Sequence, residues 1–308
     1  MHNSVRRAEN QGFAHNFAAS FGLASVATLG TVALMARILA ISSHVAFGSV
    51  GLAAMVPALQ WLGHEVLSVP SVILSSHPGY PRFAGGAVPV EQITAMVDAM
   101  EANGWFAETA GIITGYLPTP EHVRAARAAV ERVRAANPQA TYLCDPVFGD
   151  EPDGLYLPTE VANAIRDDLL PLADIASPNR FELGWLGGQD VTGPDEARRA
   201  AMTLGVPSLL ATSVPASDNR LATILFRGEA GLACFVRRRP TAPHGTGDLL
   251  AAMYLGNHIN KFSPAYCLGA STSAVDASVA SSMGRDELPL AGSGALWANA
   301  KVLQTAPA

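Results

Sequence analysis

Charge is scarce in this chain, and positive charge is scarcer than negative. Charged residues are 15% of the 308, and 20 Lys+Arg against 26 Asp+Glu leave a net charge of −6 and a pI near 5.7. That balance argues against a nucleic-acid groove, which needs a basic stripe. Cysteine is almost absent. Cys144, Cys234 and Cys267 are too scattered for a metal knuckle, and an odd number cannot all pair, which fits a reducing cytosol. No G-x-x-x-x-G-K-[ST] stretch occurs, so a Walker-type phosphate loop is excluded. No G-x-G-x-x-G follows the first apolar run, which removes support for a nicotinamide-dependent oxidoreductase. A membrane span is disfavoured too, because Gly and Ser dilute the weakly apolar stretch at 17–36. What the chain does have is apolar surface: 49% of its residues are hydrophobic, enough to bury a sizeable core.

The first 36 residues stand apart. Two arginines in VRRAEN precede FAASFGLASVATLGTVALMA, which has the outline of a secretory signal. Against that reading, the stretch runs into RILAIS (37–42) with no spacer, and Met35 lies two residues before Arg37. The expectation is an N-terminal extension over 1–36, either a non-native start or a disordered or helical segment, with a working signal as the alternative. A single domain then follows at 37–308.

From residue 37 onward, continuous apolar runs alternate with helical stretches. Strands are expected at 37–42, 65–74, 109–115, 140–147, 173–179 and 207–213; their lack of polar alternation implies helices on both faces. Helices are expected at 89–104, 119–138 and 194–205, the last opening on Pro194 with an acidic first turn and ending on Gly205. A hairpin is expected to turn at 228–231, and the Ala/Ser-rich tail after Gly269 to be helical. This order predicts a three-layer α/β/α fold around a mostly parallel, doubly wound sheet. Ligands gather at the carboxyl ends of such strands. Here those ends read Ser42, Ser43, His44; Ser75, Ser76, His77; Gly115, Tyr116; Asp145, Pro146; Pro178, Asn179; and Thr212, Ser213. Nearly all are polar.

The stretch HGTGDLLAAMYLG at 244–256 sharpens this. A helix starting near Gly247 leaves its first amides unpaired and partly positive. Gly245, Thr246 and Gly247 can therefore turn N–H groups toward a transferring phosphoryl group, with Asp248 beside them to take a proton from an attacking hydroxyl. The plainer alternative is an acidic helix start after a glycine turn.

Taken together, GTGD (245–248), YLCDPVFGD (142–150), LADIASPNRFEL (172–183) and SSHVAFGSVG (42–51) resemble the ribokinase superfamily, and most of all its pyridoxal kinase branch, over roughly residues 37–295. The resemblance implies ATP, Mg²⁺ and a B6 vitamer as ligands, leaves room for a monovalent cation such as K⁺, and implies a cytoplasmic homodimer. Asp145 and Asp150 suit Mg²⁺ near nucleotide phosphates, although Asp150 also fits an ordinary Gly-Asp turn. By the resemblance Asn179 lies near the phosphates and Glu182 helps hold the metal through water; as a bare pattern the two also fit an N-cap and its capping-box partner. Thr212 and Ser213 occupy the family's nucleotide-phosphate position, where a plain turn would look the same.

On the acceptor side, Ser43 matches the serine that bonds the pyridine ring, while His44, Gly48 and Gly51 would shape the turn that follows. SSHPGYP (75–81) matches a flap-like segment that usually reads Asn-His-Thr before an aromatic residue. His77 and Tyr80 are retained, but Ser76 and Pro78 depart from the pattern, and Pro78 can offer neither a hydroxyl nor an N–H. Tyr116 is placed to stack on a flat ring or simply to fill the core. One arginine of RRRP (237–240) could reach ATP phosphates. The resulting expectation is an ATP-dependent kinase of the pyridoxal hydroxymethyl group, with pyridoxine and pyridoxamine as further candidate acceptors. A hydroxymethylpyrimidine kinase and a non-catalytic vitamin-binding protein are the alternatives.

Overall fold

A computed structural model describes residues 35–282 and 284–308, so the expectation for 1–34 falls outside the described residues. In chain order the first half runs β1 (Arg37–Val45), α1 (Leu52–Trp61), β2 (Glu65–Leu74), β3 (Gly85–Ala87), α2 (Val90–Ala102), β4 (Thr109–Thr114), α3 (Pro120–Ala136) and β5 (Thr141–Cys144). A small ribbon, β6 (Gly149–Asp150) and β7 (Gly154–Leu155), precedes α4 (Thr159–Ala164), β8 (Ile175–Ala176), α5 (Arg180–Gly187) and α6 (Pro194–Leu204). The chain ends with β9 (Ser208–Ala216), β10 (Arg220–Arg227), β11 (Ala230–Arg237), α7 (Thr246–Ile259), α8 (Pro264–Ser282), α9 (Gly294–Ala298) and β12 (Ala306–Pro307).

One sheet has the order β12-β11-β10-β9-β8-β5-β4-β1-β2-β3. Its middle, from β9 through β8, β5, β4 and β1 to β2, is parallel, and the pairs beyond it on either side are antiparallel. The chain starts at β1, steps outward to β2, then crosses back to β4, so the switch in strand order falls between β1 and β4. Stepping one way puts α1 on one face and stepping the other puts α2 and α3 on the opposite face, as right-handed crossovers require.

The strand sequence shows why both faces fill. Leu39 and Ile41 point into a core with Ile93, Val97, Val123 and Val130 of α2 and α3; Ile38 and Ala40 point into a second core with α1, α7 and α8. Successive strand residues face opposite ways, so a strand covered twice must be apolar throughout. Ile38, Ile41, Ile112 and Ile113 are all buried, each contributing about 1.5–3 kcal/mol by its removal from water.

The expected strands are all present, with revised ends. Strand β8 keeps only two residues of the expected 173–179, and β9 runs on to Ala216 because it contains a bulge. Ala211 pairs with Ile224 and Val214 with Ala222, so Thr212 and Ser213 together face Thr223. Ser213 takes φ 59°, a left-handed conformation uncommon for a non-glycine residue. The tail departs more. Its helix begins earlier, at Pro264, and beyond Ser282 the only described helix is α9. The Pro and Gly residues after 283 cut short the helical run that Ala and Ser alone would suggest. Among the described residues, no helix is long and apolar enough to cross a membrane.

Candidate active site

Helix α7 opens on Gly245, which sits at φ 89° with its Cα pressed against the Ser49 carbonyl; a Cβ there would lie 1.8 Å from that oxygen. No side chain caps this end. The first helical bond runs from the Leu249 N–H to the Gly245 carbonyl at 3.0 Å, so the amides of Thr246, Gly247 and Asp248 lie ahead of the ladder. The expected anion hole is thus an uncapped helix start on a well-buried helix whose own packing holds it in place.

Asp248 stands in the first turn of α7. Burial pushes its carboxyl up to about 6, and the Gly51 amide partly offsets this. Gly51 has φ 57° and lies so close to Ser43 that a Cβ would come within 2.2 Å of both the Ser43 carbonyl and hydroxyl oxygens. One backbone position therefore touches Ser43, at the end of β1, on one side and Asp248 on the other.

Behind Asp248 lies a group of buried acids. Asp145 is 5% exposed and Glu182 3%. Burial, then the charge of Asp248, lifts Asp145 to about 8, although its Oδ1 accepts the Ser177 hydroxyl at 2.8 Å. Burial and Asp145 raise Glu182 well above the carboxylate range, against the N–H groups of Asn179 and Phe148 that it accepts. The donor set suits a hard divalent cation, because these are sheltered carboxylates with acidic neighbours. Among the described residues no three His, Cys, Asp or Glu side chains converge into a closed cage. A cation here would draw ligands from water and phosphate, as Mg²⁺ does.

Asp145 titrates near 8 in the folded protein against 3.8 ordinarily. Its contribution to stability is full below pH ~4 and is lost as pH rises through about 8, because only the unfolded chain has shed the proton in that window. Asp145→Asn keeps an acceptor for Ser177. It is expected to raise the melting temperature of the ligand-free protein near pH ~9 and to change it little near pH ~4. Equal shifts at both pH values in thermal melts would refute this.

The other expected residues fall as follows. Asn179 caps α5: its Oδ1 accepts the Glu182 N–H at 2.9 Å, Glu182 Oε2 accepts the Asn179 N–H at 2.9 Å, and its Nδ2 donates to the Gly149 carbonyl at 2.8 Å. The capping box is therefore formed, a feature worth about 1 kcal/mol. Thr212 bridges to Asn179, and Ser213 follows in the bulge, so these three share adjoining strand ends. Asp150 is exposed on the β6–β7 ribbon, its Oδ1 accepting the Glu151 N–H at 2.8 Å. Tyr116 is half-buried against the core over α2 and α3; its N–H donates to Ser42 Oγ at 3.1 Å and its carbonyl accepts from Ser71 Oγ at 2.6 Å. These bonds fix its backbone at the end of β4, with one side of the ring against the core. Arg239 pairs with Asp276 at 2.7 Å, and Arg237 and Arg238 line a cavity of about 380 Å³ beside it.

His77 is buried and keeps company that the sequence did not announce. Its ring lies 4.2 Å from that of His244 and 4.8 Å from that of Tyr80. Its Nδ1 accepts the Gly79 N–H at 3.1 Å, which leaves the ring proton on Nε2. Burial and His244 hold it below the usual imidazole range, against the pull of Glu287 and Asp286. Glu287 belongs to none of the motifs. Nor does Tyr156, whose phenol is raised by desolvation and by the charges of Glu182, Asp145, Asp150 and Asp248, which places it on the same side of the fold as the acid group. A tyrosine eleven residues after Asp145 gives no signal alone; only the β6–β7 ribbon returns it to the cleft.

The switch-point sheet, the uncapped glycine-led helix and the carboxyl beside it fit a phosphoryl-transferring kinase of the ribokinase-like superfamily. A family model described as phosphomethylpyrimidine kinase matches residues 88–289. The chain is 36% identical over 245 residues to pyridoxal kinase PdxY of Corynebacterium diphtheriae, covering 78% of this chain and 87% of that one. It is 36% identical over 257 residues to pyridoxal kinase PdxY of Deinococcus radiodurans, covering 80% and 86%. Pyridoxal kinase from Leishmania donovani, solved in complex with ADP and pyridoxine, superposes with a TM-score of 0.82 at 28% identity, covering 88% of this chain and 99% of that one. This chain belongs to the phosphomethylpyrimidine kinase family, in its pyridoxal kinase branch.

Proposed function

We propose that this protein transfers the γ-phosphoryl group of ATP to the exocyclic hydroxymethyl group of pyridoxal, and likewise of pyridoxine and pyridoxamine. One observation carries the proposal: a carboxyl raised to about 6, on the first turn of an uncapped helix, one glycine away from Ser43. Asp248 takes the hydroxyl proton, the substrate oxygen bonds to the γ-phosphorus, and the bond to the bridging oxygen breaks to release ADP. The amides of Gly245, Thr246 and Gly247 receive the charge on the phosphoryl oxygens. Asn179, Thr212 and Ser213 face the nucleotide phosphates, and Ser43, His77, Tyr80 and Tyr116 surround the acceptor ring. Asp145 and Glu182, with Asp150 at the rim, would hold Mg²⁺ in part through water, and the cation would supply neutralisation of phosphate charge there. A monovalent cation such as K⁺ is compatible with the same acidic cleft. The ADP and pyridoxine in the Leishmania donovani relative support this pair of substrates.

By the same reading the domain at 37–308 does this chemistry as a cytoplasmic homodimer, and residues 1–36 are dispensable to it. The test is an ADP-release assay on the whole chain and on a chain starting at Met35, with B6 vitamers and hydroxymethylpyrimidine side by side. Pyridoxal is expected to be the best acceptor for both proteins. Because Ser76 and Pro78 alter the acceptor segment, hydroxymethylpyrimidine is the informative competitor. Its preference by tenfold or more would reject the vitamer assignment, and the absence of ADP release with every acceptor would reject the enzyme.

A further inference from the structure

Glu287 lies between α8 and α9, far in sequence from every residue assigned above, yet its two carboxylate oxygens reach two different loops of the cleft. Oε2 accepts the Ser49 N–H at 2.9 Å. Oε1 lies 3.1 Å from His77 Nε2, and the Tyr80 hydroxyl is also within reach of the carboxylate. The contact with Ser49 matters because the Ser49 carbonyl is the surface against which Gly245 packs. The contact with His77 matters because the 77–80 segment borders the acceptor.

Several independent features fix the carboxylate there. A Cβ on Gly48 would lie 2.5 Å from Glu287 Oε2, and Gly48 has φ 111°, so the loop makes room for this side chain by having none of its own. The Ser49 hydroxyl donates to the Leu288 carbonyl at 2.8 Å, and the His244 N–H donates to the Asp286 carbonyl at 3.3 Å. His244 and Glu287 form an isolated bridge one residue before the expected anion hole. The His77 side chain is only 9% exposed, and its Nε2 and Glu287 Oε1 are both buried without an aligned hydrogen bond. Such a pair is at contact distance but not in line, an arrangement that a bound acceptor can tighten.

We propose that Glu287 is a positioning residue. One oxygen braces the loop beneath the helix start, the other holds the 77–80 segment, and the acceptor hydroxyl is thereby kept in line with the phosphoryl group. The proposal rests on the acceptor reading given under the proposed function. It does not make Glu287 a proton carrier, and it is specific about which substrate should feel its loss.

Glu287→Gln removes the charge and leaves one oxygen where two were used. KM for pyridoxal is expected to rise about tenfold, the scale of one lost charge-assisted hydrogen bond, while KM for ATP stays within about twofold. Glu287→Asp should recover part of the loss. Combining Glu287→Gln with His77→Asn should raise the pyridoxal KM no further than the worse single variant, because both remove the same contact. Unchanged pyridoxal KM, equal rises in both KM values, or additive effects in the double variant would overturn the proposal. Should Glu287→Gln fail to fold, the KM split is read on Glu287→Asp, where a rise confined to pyridoxal supports the proposal and its absence overturns it. Calorimetric titration with pyridoxal in the presence of ADP separates this idea from the functional one. Tight binding by wild type and weaker binding by Glu287→Gln supports it even without turnover. Equal binding by the two overturns the positioning role alone, and no binding to wild type overturns both readings.

Discussion

Asp248→Asn is expected to leave ATP binding close to wild type while turnover falls by roughly 10²–10⁴, the usual cost of losing a general base. Asparagine fills the same space at the head of α7 and can still accept from Gly51, so the fold and the amides around it are preserved. What disappears is the ionisable group on the first turn of the helix, the proposed acceptor of the hydroxyl proton. In wild type, kcat/KM should rise with pH through about 6, where Asp248 gives up its proton, and the residual rate of the variant should lack that limb. Nucleotide titration and steady-state rates settle both parts. A variant turning over near the wild-type rate would remove Asp248 from the mechanism.

Gly245→Ala is expected to be the most damaging glycine-to-alanine change among the described residues. The residue sits at φ 89°, and the added carbon would meet a backbone carbonyl at 1.8 Å, an obstacle that no rotamer change relieves. Leaving the left-handed region saves about 1–2 kcal/mol of strain but turns the first amides of α7 away from the proposed phosphoryl site. Displacing even one such donor costs roughly 10²–10³ in rate. Gly247 supplies the contrast, because a Cβ there meets nothing within 4 Å. Gly247→Ala should therefore melt near wild type, whereas Gly245→Ala should melt earlier and lose nearly all activity. Parallel melting curves for the two variants test the claim; equal destabilisation by both would contradict it.

The GTGD stretch was legible as a local structure because four consecutive residues make the turn, the uncapped helix start and its first acidic side chain. The strand ends were legible for a related reason: a doubly covered strand is apolar until it leaves the sheet, so polarity marks the exit. Asn179 and Glu182 show how two readings of one pattern can coexist. They form the capping box that bare spacing suggests, and the same box holds Glu182 among the buried acids. Glu287 and Tyr156 were not legible, because each reaches the cleft through chain segments whose course the local sequence does not encode. The tail misled for the opposite reason. Its composition favours helix throughout, but Gly284, at φ 82°, follows the end of α8, and Pro289 and Gly292 keep the chain out of helix until α9.

The offset in β9 has an outcome for both the interior and the cleft. Ala211 and Val214 are an odd number of positions apart, so in an unbroken ribbon one of them would look away from α6; both in fact join the same apolar cluster. The surplus residue restores parity between the two halves of the strand. It also leaves Thr212 half-buried and Ser213 exposed beside Asn179, so two neighbouring hydroxyls stand at this strand end while Ala211 and Val214 stay buried on either side.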